Sequence, residues 1–176
     1  MIALEQLKEI IPYAGPRAGV FVKPLNDAMS EFGIDTPMRE AAFLAQIAHE
    51  SGSLRYVREI ASGETYEGRA DLGNTVIGDG VRFKGRGLIQ ITGRANYRAC
   101  SKALFGDDET LLVHPELLEA VVPACRSAAW FWWLHDLNAL ADNNGFRAIT
   151  KAINGGFNGY AERLANFDRA RAVLAC

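Results

Sequence analysis

Cysteine is scarce in this chain: Cys100, Cys125 and Cys176 are the only three in 176 residues. An odd number, so widely spaced, gives neither a disulfide framework nor a zinc pattern, and points to a reducing compartment. Histidine is equally rare, at positions 49, 114 and 135. His49 and Glu50 do not complete a zinc-peptidase HExxH, because Ser53 stands at its last position. No GxSxG elbow occurs, and the run Lys84–Gly85–Arg86–Gly87 lacks the glycine–lysine–serine/threonine ending of a phosphate loop. The formal net charge is −2, so there is no general field for a polyanion and nucleic acid is a poor partner. No apolar run is long enough to cross a bilayer. Glu5, Lys8 and Glu9 interrupt the first apolar residues, so these do not read as a signal-peptide core. Together these absences predict a soluble chain made in the cytoplasm, with no metal and no cofactor.

What is present is core material. Hydrophobic residues make up 49% of the chain and aromatics 10%, enough for one folded domain of this length. The pattern is mainly helical. Helices are expected near Leu4–Ile11, from Pro24 to Phe32, and from Thr36 to Glu50, where Thr36 suits an N-cap and Pro37 the first turn. Others follow from Arg94 to Leu104, in a short turn from Pro115 to Leu118, and from Pro123 through the apolar run ending at Leu134. The last two are marked by Phe146, Ile149 and Ile153, and by Tyr160, Leu164 and Phe167. From Glu59 to Arg86 the helical period disappears and glycines recur. This stretch reads as loop with short strands at 65–67 and 81–84, and a further strand at 88–91 follows it.

Chemistry concentrates where the apolar helix ends. A carboxyl at the C-terminal end of a helix, partly out of water, is biased toward its neutral form, which suits a proton donor. Glu50 occupies that place. Hydrolysis of a glycoside needs a second carboxylate to activate water or to attack the sugar. Glu59 on a continuation of the same helix would lie roughly 13 Å further along and face away. A turn at Gly52 would let the chain double back instead. Glu59, Glu64, Glu67 and Asp71 all compete, and spacing does not choose among them. Gly85 and Gly87 imply backbone packed tightly around Arg86. In an extended segment Gln90 and Thr92 would share one outward side while Ile89 and Ile91 face the core. Asn154 ends a helix, and Arg163 could pair with a carboxylate.

The segments FLAQIAHESGSLRYVRE (43–59), RFKGRGLIQITGRANY (82–97) and ITKAINGGFNGYAERL (149–164) together resemble the glycoside hydrolase family 19 domain of chitinases and phage endolysins. The resemblance implies a mainly α, lysozyme-like two-lobed fold, with a few short strands beside a substrate cleft. It implies an inverting mechanism, with Glu50 as general acid, Glu59 as general base and Thr92 holding the water. His49, Gln90, Asn96, Asn154 and Arg163 would line the substrate or support the carboxylates. The plant members carry a longer insert between the two glutamates and several disulfides, so Glu67 stands as an alternative base. The stretch 63–74 resembles the phage version, and the expectation is therefore a single catalytic domain spanning 1–176, with a loop-rich cleft region at about 51–92 and no separate wall-binding domain. Its expected activity is that of a monomeric, muramidase-type endolysin cutting peptidoglycan in the periplasm after a separate pore protein (a holin) releases it from the cytoplasm. A chitinase is the alternative activity, and a catalytically dead chitin- or peptidoglycan-binding module is the alternative of another class.

Overall fold

The computed structural model describes residues 1–176. Ten α-helices follow one another: α1 Leu4–Ile10, α2 Arg17–Glu31, α3 Pro37–Glu50, α4 Asp79–Arg82, α5 Arg94–Phe105, α6 Thr110–Val113, α7 Val121–Leu134, α8 Leu137–Asp142, α9 Phe146–Asn154 and α10 Tyr160–Leu174. Short 3-10 turns at Pro12–Ala14, Glu64–Tyr66, Ala70–Leu72 and Pro115–Glu119 fill several of the gaps. The chain divides into two lobes, one formed by 1–55 with 129–176 and the other by 56–128. No helix is long and apolar enough to cross a membrane.

The first lobe is built on α3. Thr36 is extended (φ −106°), and its hydroxyl accepts from the Arg39 amide, with Pro37 at the first helical position. Every residue from Ala41 to Ala48 is buried, including Gln46. This helix is therefore enclosed on all sides rather than along one stripe. Phe43 meets the edge of Trp132, with ring centroids 5.3 Å apart, and Phe146 stacks on Phe167 at 4.2 Å. The Trp132 indole donates to Asn138, whose amide donates in turn to the carbonyls of Phe32 and Gly33. Arg39 pairs with both oxygens of Asp142.

Helix α2 begins seven residues before Pro24, the position from which the sequence pattern started it. Proline inside a helix forfeits one backbone bond. Ala18, Phe21, Leu25, Ala28 and Met29 nonetheless form one buried stripe, whose burial outweighs that loss. Similarly, α7 begins at Val121 rather than Pro123.

The second lobe is organised by side chains that grip backbone. Arg94 makes a two-pronged pair with Asp79, which is 2% exposed at its side chain, and stacks over Phe83. Asn74 donates to the Tyr66 carbonyl and accepts from the Arg94 amide. The expected strands at 65–67 and 81–84 are absent: the first overlaps the 3-10 turn at Glu64–Tyr66 and the second begins within α4, at residues 81 and 82. At 88–91 there is only an isolated bridge between Arg86 and Ile91, with another between Arg58 and Arg86. Without a neighbouring strand these segments satisfy amides on nearby carbonyls, Tyr66 on Gly63, Glu67 on Glu64, Arg82 on Gly78 and Phe83 on Asp79, while Asp79, Glu67 and Asn74 take the amides of Val76, Gly78 and Arg94 around them. All three cysteines are free.

Candidate active site

In the first lobe Glu50 is the last residue of α3, with a side chain 21% exposed. The chain then turns sharply through Gly52, Ser53 and Leu54 at φ 55°, 63° and 63°. Left-handed backbone is costly for a serine or leucine, so something must hold it. Ser51 does so: its buried hydroxyl donates to the Ile47 carbonyl at 2.6 Å and accepts from the Leu54 amide at 2.8 Å.

Opposite Glu50 stands Arg163, on α10 and 1% exposed. Its Nη2 lies 2.6 Å from Glu50 Oε1, an ion-pair distance. The approach is off the hydrogen-bond axis, so that buried oxygen has a charge partner but no directed hydrogen bond. The arginine is held at its other nitrogens, Nη1 to Gln46 Oε1 at 2.6 Å and Nε to the Asn158 carbonyl at 3.1 Å. The sequence named Arg163 as a possible partner for a carboxylate, and the fold makes Glu50 that partner.

His49 shares a hydrogen bond with Glu162 through Nδ1, at 2.9 Å. Gly159 (φ +69°) lies against the His49 ring, so closely that a methyl group there would fall 2.6 Å from Nε2. Asn154 ends α9, and its Oδ1 accepts from the Asn158 amide at 3.2 Å, closing the glycine-rich loop that carries Gly159.

In the second lobe Glu59 is half-buried. Its Oε1 accepts from the Tyr66 hydroxyl and its Oε2 from the Gly85 amide, both at 3.1 Å. Burial, then the bond to Glu59, holds the Tyr66 phenol above its ordinary range, so it stays a donor. Glu67 is engaged differently: its two oxygens take the amides of Gly78 (2.6 Å) and Gly80 (2.8 Å), clamping the start of α4.

The tight backbone inferred around Arg86 has identifiable neighbours. A side chain at Gly85 would strike Gln90, and one at Gly87 (φ +98°) would come 2.6 Å from the Ser127 hydroxyl. Arg86 itself is buried and structural, bonded to Glu119, the Arg82 carbonyl and the Tyr97 hydroxyl. Ile89 and Ile91 are buried while Gln90 and Thr92 are partly exposed, so the inferred alternation holds although no strand forms. The Thr92 carbonyl accepts from the exposed Asn96 amide at 2.7 Å.

The structure thus gathers Glu50, His49, Arg163 and Asn154 in one lobe, and Glu59, Glu67, Gln90, Thr92 and Asn96 in the other. The sequence reading passed over Gln46, Thr150, Glu162 and Tyr66. One signal for Gln46 was available: it is a polar residue within an otherwise apolar run, four residues before Glu50 and hence on the same face.

No family model matches the chain. Its relatives are nevertheless clear. A Haemophilus influenzae glycosyl hydrolase family 19 domain-containing protein is 31% identical over 194 positions, covering 93% of this chain and 92% of its own. Endochitinase CHI of Arabidopsis thaliana is 37% identical over 131 positions, 70% of this chain but only 45% of the plant protein. Among solved structures, chitinase C from Streptomyces griseus superposes with a TM-score of 0.78 at 26% identity, covering 99% of this chain and 76% of that one. The class IV family 19 chitinase of Zea mays gives 0.68 at 25% identity, covering 86% and 78%. These likenesses support the mainly α, two-lobed architecture. They overturn the expected peptidoglycan-cutting endolysin and, with it, the lysozyme and host-lysis roles: the relatives whose names state an activity are endochitinases and chitinases. The stretch at 63–74 closes a loop, with Glu67 and Asn74 gripping backbone. The near-complete match to the Haemophilus protein shows that this chain belongs to glycosyl hydrolase family 19.

Proposed function

We propose that this enzyme is a chitinase that hydrolyses β-1,4 bonds between N-acetylglucosamine units. Glu50, carried against a fully buried arginine at the end of an apolar helix, is the observation that bears most on this reading. The relatives named as endochitinases supply the substrate class.

In this mechanism Glu50 gives its proton to the glycosidic oxygen as the bond from that oxygen to the anomeric carbon breaks. Glu59 takes a proton from a water molecule whose oxygen bonds to the anomeric carbon from the opposite side. Thr92 helps hold that water. The configuration at the carbon inverts, so a β-linked polymer yields an α product first. Glu59 suits the base role because the Tyr66 hydroxyl and the Gly85 amide hold its two oxygens in a fixed orientation. Glu67 is given the structural role that its two backbone bonds describe. His49, Gln90, Asn96 and Asn154 are assigned to substrate contact and its support.

The test is hydrolysis of chitohexaose, followed by proton NMR of the freshly formed reducing end. The expected result is rapid cleavage with the α-anomer appearing first, and none with Glu50→Gln. Tight oligosaccharide binding without any cleavage by the parent enzyme would overturn the reading in favour of a binding module.

A further inference from the structure

Behind the Glu50–Arg163 pair lies a hydrogen-bonded chain joining three helices. Arginine has only donors to offer, so the amide group facing Arg163 Nη1 must be the Gln46 oxygen. That choice turns the Gln46 Nε2 toward Thr150, whose hydroxyl accepts at 2.8 Å. The Thr150 hydroxyl in turn donates to the Phe146 carbonyl at 3.1 Å. Direction is therefore fixed from end to end: Arg163 donates to Gln46, Gln46 to Thr150, and Thr150 to the α9 backbone. Gln46 and Thr150 are both 0% exposed, so no water is on hand to replace a lost partner.

The geometry matters for the arginine. Its planar group is tied at Nη1 by Gln46 and at Nε by the Asn158 carbonyl, two anchors lying in the plane. The remaining nitrogen, Nη2, is thereby held 2.6 Å from Glu50 Oε1. With the Gln46 anchor gone, the group can swing about Nε, and the charge that confronts Glu50 moves with it.

We propose that Gln46 and Thr150 are positioning residues for the reaction, holding Arg163 in the orientation that sets Glu50 against the scissile bond. This rests on the reading of Glu50 as proton donor. Neither residue touches substrate in this account. Their effect passes through Arg163, so turnover should suffer while substrate affinity does not.

The experiment measures kcat and KM on chitohexaose, together with thermal unfolding, for Gln46→Met, Thr150→Val, Thr150→Ser and Glu50→Gln. Methionine nearly matches glutamine in length, and valine matches threonine in size without the hydroxyl; serine keeps the hydroxyl. Gln46→Met and Thr150→Val should each lower kcat about 10- to 100-fold with KM within about twofold of the parent. Thr150→Ser should restore kcat to within about threefold, and the double variant Gln46→Met/Thr150→Val should be no slower than the slower single variant. A merely structural role would lower the unfolding temperature and leave the kcat of folded protein unchanged. Parental kcat in folded Thr150→Val, with Glu50→Gln inactive, would overturn the proposal alone. Activity in Glu50→Gln would instead remove the proton-donor reading on which it rests.

Discussion

Replacing Arg163 by methionine tests the centre of the first lobe most directly. The methionine keeps most of the apolar stem and removes the charged head, which is the part bonded to Gln46 and Asn158 and paired with Glu50. Breaking a buried pair by removing one member costs about 3–5 kcal/mol, and here it leaves the Glu50 and Gln46 oxygens without the cation they face. Glu50 retains 21% exposure and can lean into water, which argues for the lower end. Gln46 loses its donor and cannot relax in the same way, being 0% exposed. The expected cost is about 3 kcal/mol, or a fall of about 6–12 °C in Tm at this chain length. Urea unfolding of the single variants and of Glu50→Leu/Arg163→Met would measure it. The double variant should cost less than the two singles combined, since no charge is then stranded. A loss below about 0.5 kcal/mol in Arg163→Met, or simple additivity, would refute the argument that Glu50 and Gln46 depend on the arginine head.

Three further outcomes follow from contacts elsewhere. Glu59→Gln should abolish chitohexaose turnover, whereas Glu67→Gln should keep most of it but expose residues 75–80 to limited proteolysis, because Glu67 clamps the amides of Gly78 and Gly80. Arg94 beside Asp79, working against burial, holds that carboxyl below its ordinary value. A depressed folded value means stabilisation that is complete above the ordinary carboxylate range and lost as pH falls through the folded value. Chemical unfolding at a series of pH values should therefore show Asp79→Asn less stable than the parent at neutrality, with the gap closing below about pH 4. Thr36→Ala removes the α3 cap accepted from Arg39 and should cost about 1 kcal/mol in urea unfolding, without changing KM.

The sequence determined what depends on near neighbours. Thr36 and Pro37 start α3 through contacts within one turn, and the apolar residues up to Ala48 require that it be buried; Glu50 at its end followed directly. The three motifs carried the family, and the scarcity of cysteine left all three thiols free. Tertiary structure decided whatever depends on residues distant in the chain. The segments at 65–67 and 81–84 have strand-like composition, but a strand needs a partner; here their amides close local turns, Asn74 donates to the Tyr66 carbonyl, and Asp79 and Glu67 bind the backbone between them. Pro24 suggests a helix start only until the stripe from Ala18 to Met29 is seen to be buried throughout. Glu59 and Glu67 are equivalent as letters; the first received a phenol and one amide, the second two loop amides, because the fold placed different donors beside them. Gln46 became more than a lone polar residue only when α9 and α10 brought Thr150 and Arg163 to it, since a buried amide takes its meaning from the groups that satisfy it.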